Sequence, residues 1–248
     1  MKTQQRLVLP HEHGAWMMWL APLVVGLAVT PWHPSKLLLV GAVLFAYLAS
    51  YPLLQSLRYP QQRAYWLRWA AGYGMVAALL GIPLLLVRPL LLWLAPLALA
   101  TFVVNAWFAR QRNERNLLND LAAMAGLNLT AVAGYVTGQG RWDTEAWILW
   151  AVCLLYFFGT ALHVKSLLRE RRNHLMKSLA VAYALVIPAV LALVLQPLLA
   201  VAHLPATLRA MAIPQEHRFK SIVLGVIEIV CSLWFATWLI VIYRSSWG

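Results

Sequence analysis

The chain has 248 residues, of which 62% are hydrophobic and only 11% are charged. A soluble domain of this length could not bury so much apolar surface, since soluble domains are about half apolar and about a quarter charged. The formal net charge is +12, but no basic stripe or RNA-binding aromatic pattern accompanies it, and basic loops are normal in membrane proteins. Composition therefore predicts a membrane protein whose partners are lipids and not nucleic acid.

Apolar runs of about 20 residues recur along the chain, which is the length that a helix needs to cross a bilayer. We predict an all-α, polytopic transmembrane helix bundle that forms one integral membrane domain over residues 1–248, with no cleavable signal peptide. The predicted spans, in chain order, are 14–31, 36–56, 67–87, 90–109, 117–137, 145–167, 175–195, 197–213 and 219–243.

The eighth span is short and contains a proline and an arginine, so eight spans plus a re-entrant or interfacial segment is the alternative. Charge favours nine, because cytoplasmic loops collect Lys and Arg. With a cytoplasmic N-terminus and nine spans, all but four of the 20 basic residues lie inside, the exceptions being Lys36, Arg88, Arg141 and Arg244. With eight spans, Arg209, Arg218 and Lys220 move outside, and Arg244 moves inside. We therefore predict about nine spans and a cytoplasmic N-terminus.

The first span is preceded by His11, Glu12 and His13, which are poor interfacial anchors compared with Lys, Arg or Trp. One interpretation is structural, and the other is proton transfer or anion binding, with His13 as the reactive group. Two histidines at this spacing point about 200° apart on a helix, so they would not chelate one metal ion together. Gly14 and Ala15 would allow a close helix contact.

Two loops on the predicted inner side combine arginines with a glutamate, "RNERN" at 112–116 and "RERRN" at 169–173. Topology signalling is the simpler interpretation, but it needs only positive charge, and Glu114 and Glu170 suggest arginines oriented toward an anionic group. Polar residues continue from both loops at helical spacing. They are Asn116, Asn119 and Asp120 on the fifth helix, and His163, Ser166 and Glu170 on the sixth.

Two polar residues lie deeper, Asn128 in the fifth span and Glu228 in the ninth. A lone carboxylate at that depth costs about 2–4 kcal/mol, so Glu228 is expected to be paired, protonated or facing water. For both residues the structural alternative is a hydrogen bond that only fixes helix packing. His203 is interpreted as structural, and Cys153 and Cys231 as small buried hydrophobic residues.

Three stretches together resemble the YwiC-like family of bacterial integral membrane proteins, namely "LPHEHGAWMMWLAP", "RNERNLLNDLAA" and "LHVKSLLRERRN". The resemblance covers most of the chain and implies a multi-pass protein of the bacterial inner membrane, but it names no reaction. The polar positions within these blocks are His13, Gly14, Trp16, Glu114, Arg115, Asn119, Asp120, Lys165, Arg169, Glu170 and Arg171.

The first functional hypothesis is an intramembrane, transferase-like enzyme with a cytoplasm-facing pocket for an isoprenoid or another anionic ligand. Its layout is similar to that of the UbiA prenyltransferases, which have nine helices and catalytic groups on cytoplasmic loops, but their Asp-rich magnesium motifs are missing here. The predicted catalytic residues are His13 and Glu170; no metal ligand is predicted, and the sequence does not identify a cofactor. The predicted ligand-binding residues are Arg112, Arg115, Asn119, Asp120, Lys165, Arg169 and Arg171.

Two alternatives remain open. A transporter or channel for a small anion, or a proton-coupled transporter of a small solute, would use the mid-membrane Glu228 and Asn128 together with the basic inner loops. A non-catalytic subunit of a respiratory complex would need histidine pairs at similar depth for haem, and such pairs are hard to find in this sequence.

Overall fold

The computed structural model describes residues 7–10, 13–114, 116–215 and 220–246, without the side chains of residues 13 and 246. Every regular element in these ranges is helical, which confirms the all-α prediction. The helices are α1 (His13–Ala28), α2 (Ser35–Arg58), α3 (Arg63–Val87), α4 (Ala95–Arg110), α5 (Leu117–Gln139), α6 (Thr144–Leu168), α7 (His174–Val194), α8 (Leu199–Ala212) and α9 (Ser221–Ser246). Short 3-10 helices, Pro60–Gln62 and Pro89–Leu94, precede α3 and α4.

Within the described ranges, 7 helices are long and apolar enough to cross a bilayer, so the chain is a multi-pass membrane protein. They are α2, α3, α4 with its preceding 3-10 turn, α5, α6, α7 and α9. The apolar part of α1 is shorter, and the 14 residues of α8 rise only about 21 Å against about 30 Å of hydrocarbon. Nine spans therefore remains a prediction.

Side-chain caps set where the central helices begin. Asn116, Asp143 and Asn173 each accept a hydrogen bond from a backbone N–H of the following first turn, at the starts of α5, α6 and α7. Gly140 ends α5 with a φ of 71°, a left-handed conformation that glycine adopts without strain. Asn116, expected in the polar stripe of α5, is therefore its cap.

Six helices form a closed ring. In the order α1, α5, α6, α7, α8 and α9, each helix packs against the next, and α9 packs back against α1. Across the ring, α6 also contacts α8 and α9. The hairpin of α2 and α3 lies outside the ring, where α2 and α4 pack against α5. The helices α3 and α4 expose most of their apolar side chains, as expected of helices that face lipid.

The closest approach in the ring is between α1 and α5. A Cβ atom added to Gly26 would lie 2.1 Å from the backbone oxygen of Ala131, and one added to Gly134 would lie 2.9 Å from the backbone nitrogen of Leu27. Only glycine at these two positions lets the backbones meet. The close contact was expected at Gly14 instead, but a Cβ there meets nothing within 4 Å among the described residues.

The four basic residues that the nine-span topology leaves outside lie at one end of the bundle, here called the far end. Lys36 Nζ donates to the Leu27 and Thr30 carbonyls at 2.5 and 2.9 Å, and Arg244 Nη2 donates to the Ala28 carbonyl at 2.7 Å. These cations satisfy the carbonyls at the end of α1. Arg88 and Arg141 lie near each other at this end. Arg141 directly follows Gly140, and Arg88 Nη1 would lie 3.0 Å from a Cβ atom added to that glycine.

The opposite end, here called the basic end, contains residues 111–114 and 116 before α5 and the loop 169–173 before α7. There, Lys177 Nζ at the start of α7 donates to the Ala210 and Ile213 carbonyls at the end of α8, both at 2.7 Å. The helix α8 is therefore antiparallel to α7 and ends at the basic end. The chain reverses direction at α8, which is the path that nine spans require.

We predict that Gly26→Ala destabilises the bundle by about 1–3 kcal/mol, because its methyl group would overlap backbone that cannot rotate away. Thermal unfolding in detergent, followed by tryptophan fluorescence, measures the loss. Gly72→Ala on α3 is the matched control, since a Cβ there meets nothing within 4 Å among the described residues. Equal unfolding temperatures for both variants would contradict the close α1–α5 packing.

We also predict that the far end faces outward from the cell. Arg141→Cys should react with a membrane-impermeant maleimide in intact cells, whereas Arg172→Cys at the basic end should react only after permeabilisation. The native Cys153 and Cys231 are buried, so the parent chain provides an unlabelled background. The reverse labelling pattern would show that the cytoplasmic N-terminus is wrong.

Candidate functional site

The feature on which the candidate site centres is an ion pair inside the helix ring. Arg209 of α8 places its Nη1 against Oε2 of Glu228 on α9, and the two residues are only 7% and 8% exposed. Glu228 is the eighth residue of α9, so it lies about 10 Å along the helix from its described start. Of the three alternatives for Glu228, paired, protonated or facing water, the structure shows the first, with Arg209 as the partner.

His163 of α6 is the second unusual group of the site. It is 1% exposed, and neither ring nitrogen has a hydrogen-bond partner among the described residues. A buried polar group without a partner costs about 1–3 kcal/mol, so its presence calls for an explanation other than stability. The cation Arg209 of α8 lies near it, since both side chains line one cavity.

His163 and Arg209, but not Glu228, line a small cavity between α6, α7 and α8. Its free space is about 20 Å³, roughly enough for one water molecule. Polar and apolar side chains share its lining. The polar or ionisable members are Tyr156, Thr160, His163, Tyr183, His203, Thr207 and Arg209.

Aromatic packing closes the cavity toward the centre of the ring. The ring of Tyr156 stacks on Phe235 of α9 with centroids 3.8 Å apart, and His203 contacts both rings edge-on. His203 Nδ1 lies 2.8 Å from the Leu199 carbonyl, and its Nε2 has no partner among the described residues. Orientation of His203 by its own helix supports the structural interpretation.

Hydrogen bonds close the site toward the basic end. Besides the bonds of Lys177 to the end of α8, Gln215 Nε2 donates to the Glu170 and Asn173 carbonyls at 2.9 and 3.0 Å. These bonds join the end of α8 to the loop between α6 and α7. We call the contacts of Lys177 and Gln215 the basic-end closure.

Two of the predicted ligand-binding residues do meet. Lys165 Nζ of α6 lies 3.3 Å from Asp120 Oδ2 of α5, in a half-buried ion pair. Asn119 is buried, its Nδ2 donates to the Glu114 carbonyl at 2.9 Å, and its Oδ1 has no described partner. The carboxylate of Asp120 is thus directed at a lysine, which does not suit a magnesium site.

The predicted loop residues are near the surface. Arg169, Glu170 and Arg171 lie beyond the end of α6, so Glu170 does not continue the helical face of His163 as expected. Arg171 Nε donates to the Leu167 carbonyl, and the loop 168–173 forms a shallow open hollow by itself. Arg112 is exposed on the loop before α5, with a φ of 56°.

Two predicted residues cannot be placed. Arg115 lies outside the described residues, and for His13 only the backbone at the start of α1 is described. His11 and Glu12 also lie outside. Asn128 is fully buried, and its Nδ2 donates to the Met124 carbonyl of its own helix at 2.7 Å, so its described bond does not join two helices.

Sequence reasoning missed two members of the site. At the level of sequence, Arg209 served only as an argument about the number of spans. An arginine in one span and a carboxylate in the next are nevertheless a signal of a buried ion pair. His163 was assigned to a polar stripe leading to the basic loop. In the described part of the chain, no three His, Cys, Asp or Glu side chains are grouped as metal ligands.

Comparison with known proteins gives the following matches. A family model described as "YwiC-like protein" matches residues 9–135. The chain is 32% identical over 234 residues to "Uncharacterized protein YwiC" of Bacillus subtilis (strain 168), which covers 93% of this chain and 95% of that protein. It is 28% identical over 238 residues to an "Uncharacterized protein" of Haemophilus influenzae (strain ATCC 51907 / DSM 11121 / KW20 / Rd), covering 95% and 98% of the two chains. No solved structure matches significantly.

We predict that Arg209→Met lowers stability by about 3–5 kcal/mol, because it leaves the Glu228 carboxylate buried without a counter-ion. Adding Glu228→Gln should restore much of the loss, and a double-mutant cycle of unfolding in detergent measures the coupling. Arg58→Met is the control, because the Arg58–Glu114 pair is exposed and worth about 0–1 kcal/mol. If Arg209→Met lowers the free energy of unfolding by no more than Arg58→Met does, the buried ion pair is contradicted.

Proposed function

The chain belongs to the YwiC-like family, and we propose that it is a proton-coupled transporter of a small solute in the bacterial inner membrane. The observation that carries this proposal is the buried Arg209–Glu228 pair between α8 and α9. Ionisable side chains inside membrane helices are expensive, and where they occur they commonly mark ion pathways and proton relays.

A purely structural role explains the pair poorly. Well-packed apolar residues in place of a buried ion pair are often equally stable or more stable, so the charges are weak evidence for stabilisation. His163 adds a second buried polar group, whose ring nitrogens have no described partners. A site that binds and releases protons needs such groups, whereas a site that only fixes packing does not.

Protonation of Glu228 would supply the coupling. In its ionised form, the carboxylate binds Arg209 and holds α8 to α9. In its protonated form, the attraction falls and the guanidinium becomes available to another group. The two protonation states therefore favour two arrangements of α8, which is what a coupled transporter requires.

The shape of the surrounding helices supports movement at this place. The helix α8 has only 14 residues and contains Pro205, and α1 has 16 residues and contains Pro22. A short or proline-interrupted helix can line the binding site of a transporter. The basic-end closure would have to open for the solute to pass on that side.

Binding of an isoprenoid or another anionic amphiphile, followed by transferase-like chemistry, is the second candidate. The open hollow of loop 168–173 favours it, because Arg169 and Arg171 line that hollow together with Glu170. In this candidate function, His13 and Glu170 are the catalytic groups, and the other predicted ligand-binding residues contact the ligand. The architecture is then similar to that of the UbiA prenyltransferases. The candidates differ in their critical residues, since transport depends on Glu228 and ligand binding on the loop arginines.

To test transport, the full chain is reconstituted in phosphatidylethanolamine–phosphatidylglycerol vesicles that contain a trapped pH-sensitive dye. Gradients of sodium chloride, sodium formate, glycine and glycerol are imposed in turn. With at least one solute gradient, the proton flux reported by the dye should be faster than in protein-free vesicles. Glu228→Gln should reduce this flux to the protein-free rate, because the amide cannot take up and release a proton.

Glu145→Gln is the matched control, since it neutralises a carboxylate at the far end of α6, away from the ion pair. Its rate should equal that of the parent chain. Background rates with all four solutes, or an unchanged rate in Glu228→Gln, would overturn proton-coupled transport.

A further inference from the structure

We propose that the transported solute is a small monovalent anion, which binds the Arg209 guanidinium and His163 when Glu228 is protonated. This inference rests on the proposed transport function and specifies its substrate class. It follows from the charge around the cavity, from its size and from the unpartnered ring of His163.

The charge around the cavity favours an anion. Arg209 and His163 line the same cavity, and Glu228 is the carboxylate that neutralises Arg209. When Glu228 takes up a proton, Arg209 keeps its positive charge and loses that counter-ion. A cationic solute would be repelled from this site, and a monovalent anion would restore the balance.

The available donors suit an anion as well. In this structure, Arg209 Nε has no hydrogen-bond partner among the described residues, and the same holds for both ring nitrogens of His163. Both side chains line the cavity between α6, α7 and α8. A guanidinium and an imidazole N–H are the donor types that bind carboxylates and other oxyanions.

The size of the cavity limits the occupant. Free space of about 20 Å³ accommodates one water molecule, so a solute of more than a few atoms would not fit without helix movement. Halide and one-carbon carboxylate anions are in the right range. A sugar acid is not.

The other titratable groups around Glu228 do not replace Arg209 as an anion partner. Those in electrostatic contact with the pair are Tyr156 of α6 and Cys231 of α9. Both are neutral or anionic, never cationic, and α1, which also packs on α9, has no titratable residue besides His13. Proton uptake by Glu228 and anion binding by Arg209 therefore occur together, and one proton accompanies one anion.

The inference is tested by equilibrium binding with the full chain in detergent, using sodium formate as the probe. Sodium gluconate at equal concentration is the control for ionic strength, because gluconate is too large for the cavity. The parent chain should bind formate at least about tenfold more weakly near pH 8 than near pH 5.5, because binding is linked to one proton. Glu228→Gln should bind formate with little dependence on pH, since its amide imitates the protonated acid.

Two further variants separate the roles of the anion contacts. The double variant Arg209→Gln with Glu228→Gln keeps a neutral side-chain pair, and it should lose formate binding. His163→Phe in the Glu228→Gln background keeps the ring volume but removes the donor, and it should weaken binding about tenfold. Thermal unfolding checks that each variant is folded.

Equal effects of formate and gluconate, or formate binding by the double variant, would overturn the anion site. This outcome differs from failure of the proposed function. If a gradient of glycine or glycerol drives a proton flux that depends on Glu228, while gradients of formate and chloride drive none, the transport proposal stands and the anion assignment is wrong. If formate binds as expected but no solute moves protons, the site stands and the transport proposal is wrong.

Discussion

The constraint that organises this molecule is the cost of charge in hydrocarbon. Arg209 and Glu228 are tolerated inside the bundle because each neutralises the other. This requires α8 and α9 to be adjacent, and α6 contacts both helices from across the ring. The polar cavity with His163 is a consequence of the same arrangement, since it lies where the short α8 leaves space between α6 and α7.

Most of the fold was predictable from the sequence, because hydrocarbon thickness imposes a length on apolar runs. In the described part of the chain an α-helix lies at each predicted span, with boundaries shifted by a few residues where caps such as Asn116 and Asp143 act. Of these helices, 7 are long and apolar enough to cross a bilayer. The contact between Gly26 and the α5 backbone was not predictable. Glycines are common in such helices, and only the crossing of α1 and α5 selects one of them.

The candidate site was predictable only in part. The depth of Glu228 indicates a carboxylate that is paired, protonated or facing water. The sequence alone does not choose among these, because it offers several cations and gives no register between helices. The repeated arginine–glutamate loops drew attention to the basic end, where charge also serves topology. His163 was expected to belong to that end, but its ring lies inside the bundle, and its lack of described partners becomes visible only once the surrounding helices are placed.

The contacts that cap α1 have a consequence for biosynthesis. Lys36 arrives soon after α1 in the growing chain, whereas Arg244 belongs to α9 and is made more than two hundred residues later than the carbonyl that it binds. Until the last helix is inserted, water at the exposed end of the bundle must donate to the Ala28 carbonyl in place of Arg244. Closure of the ring by the contact of α9 with α1 therefore follows the synthesis of the whole chain.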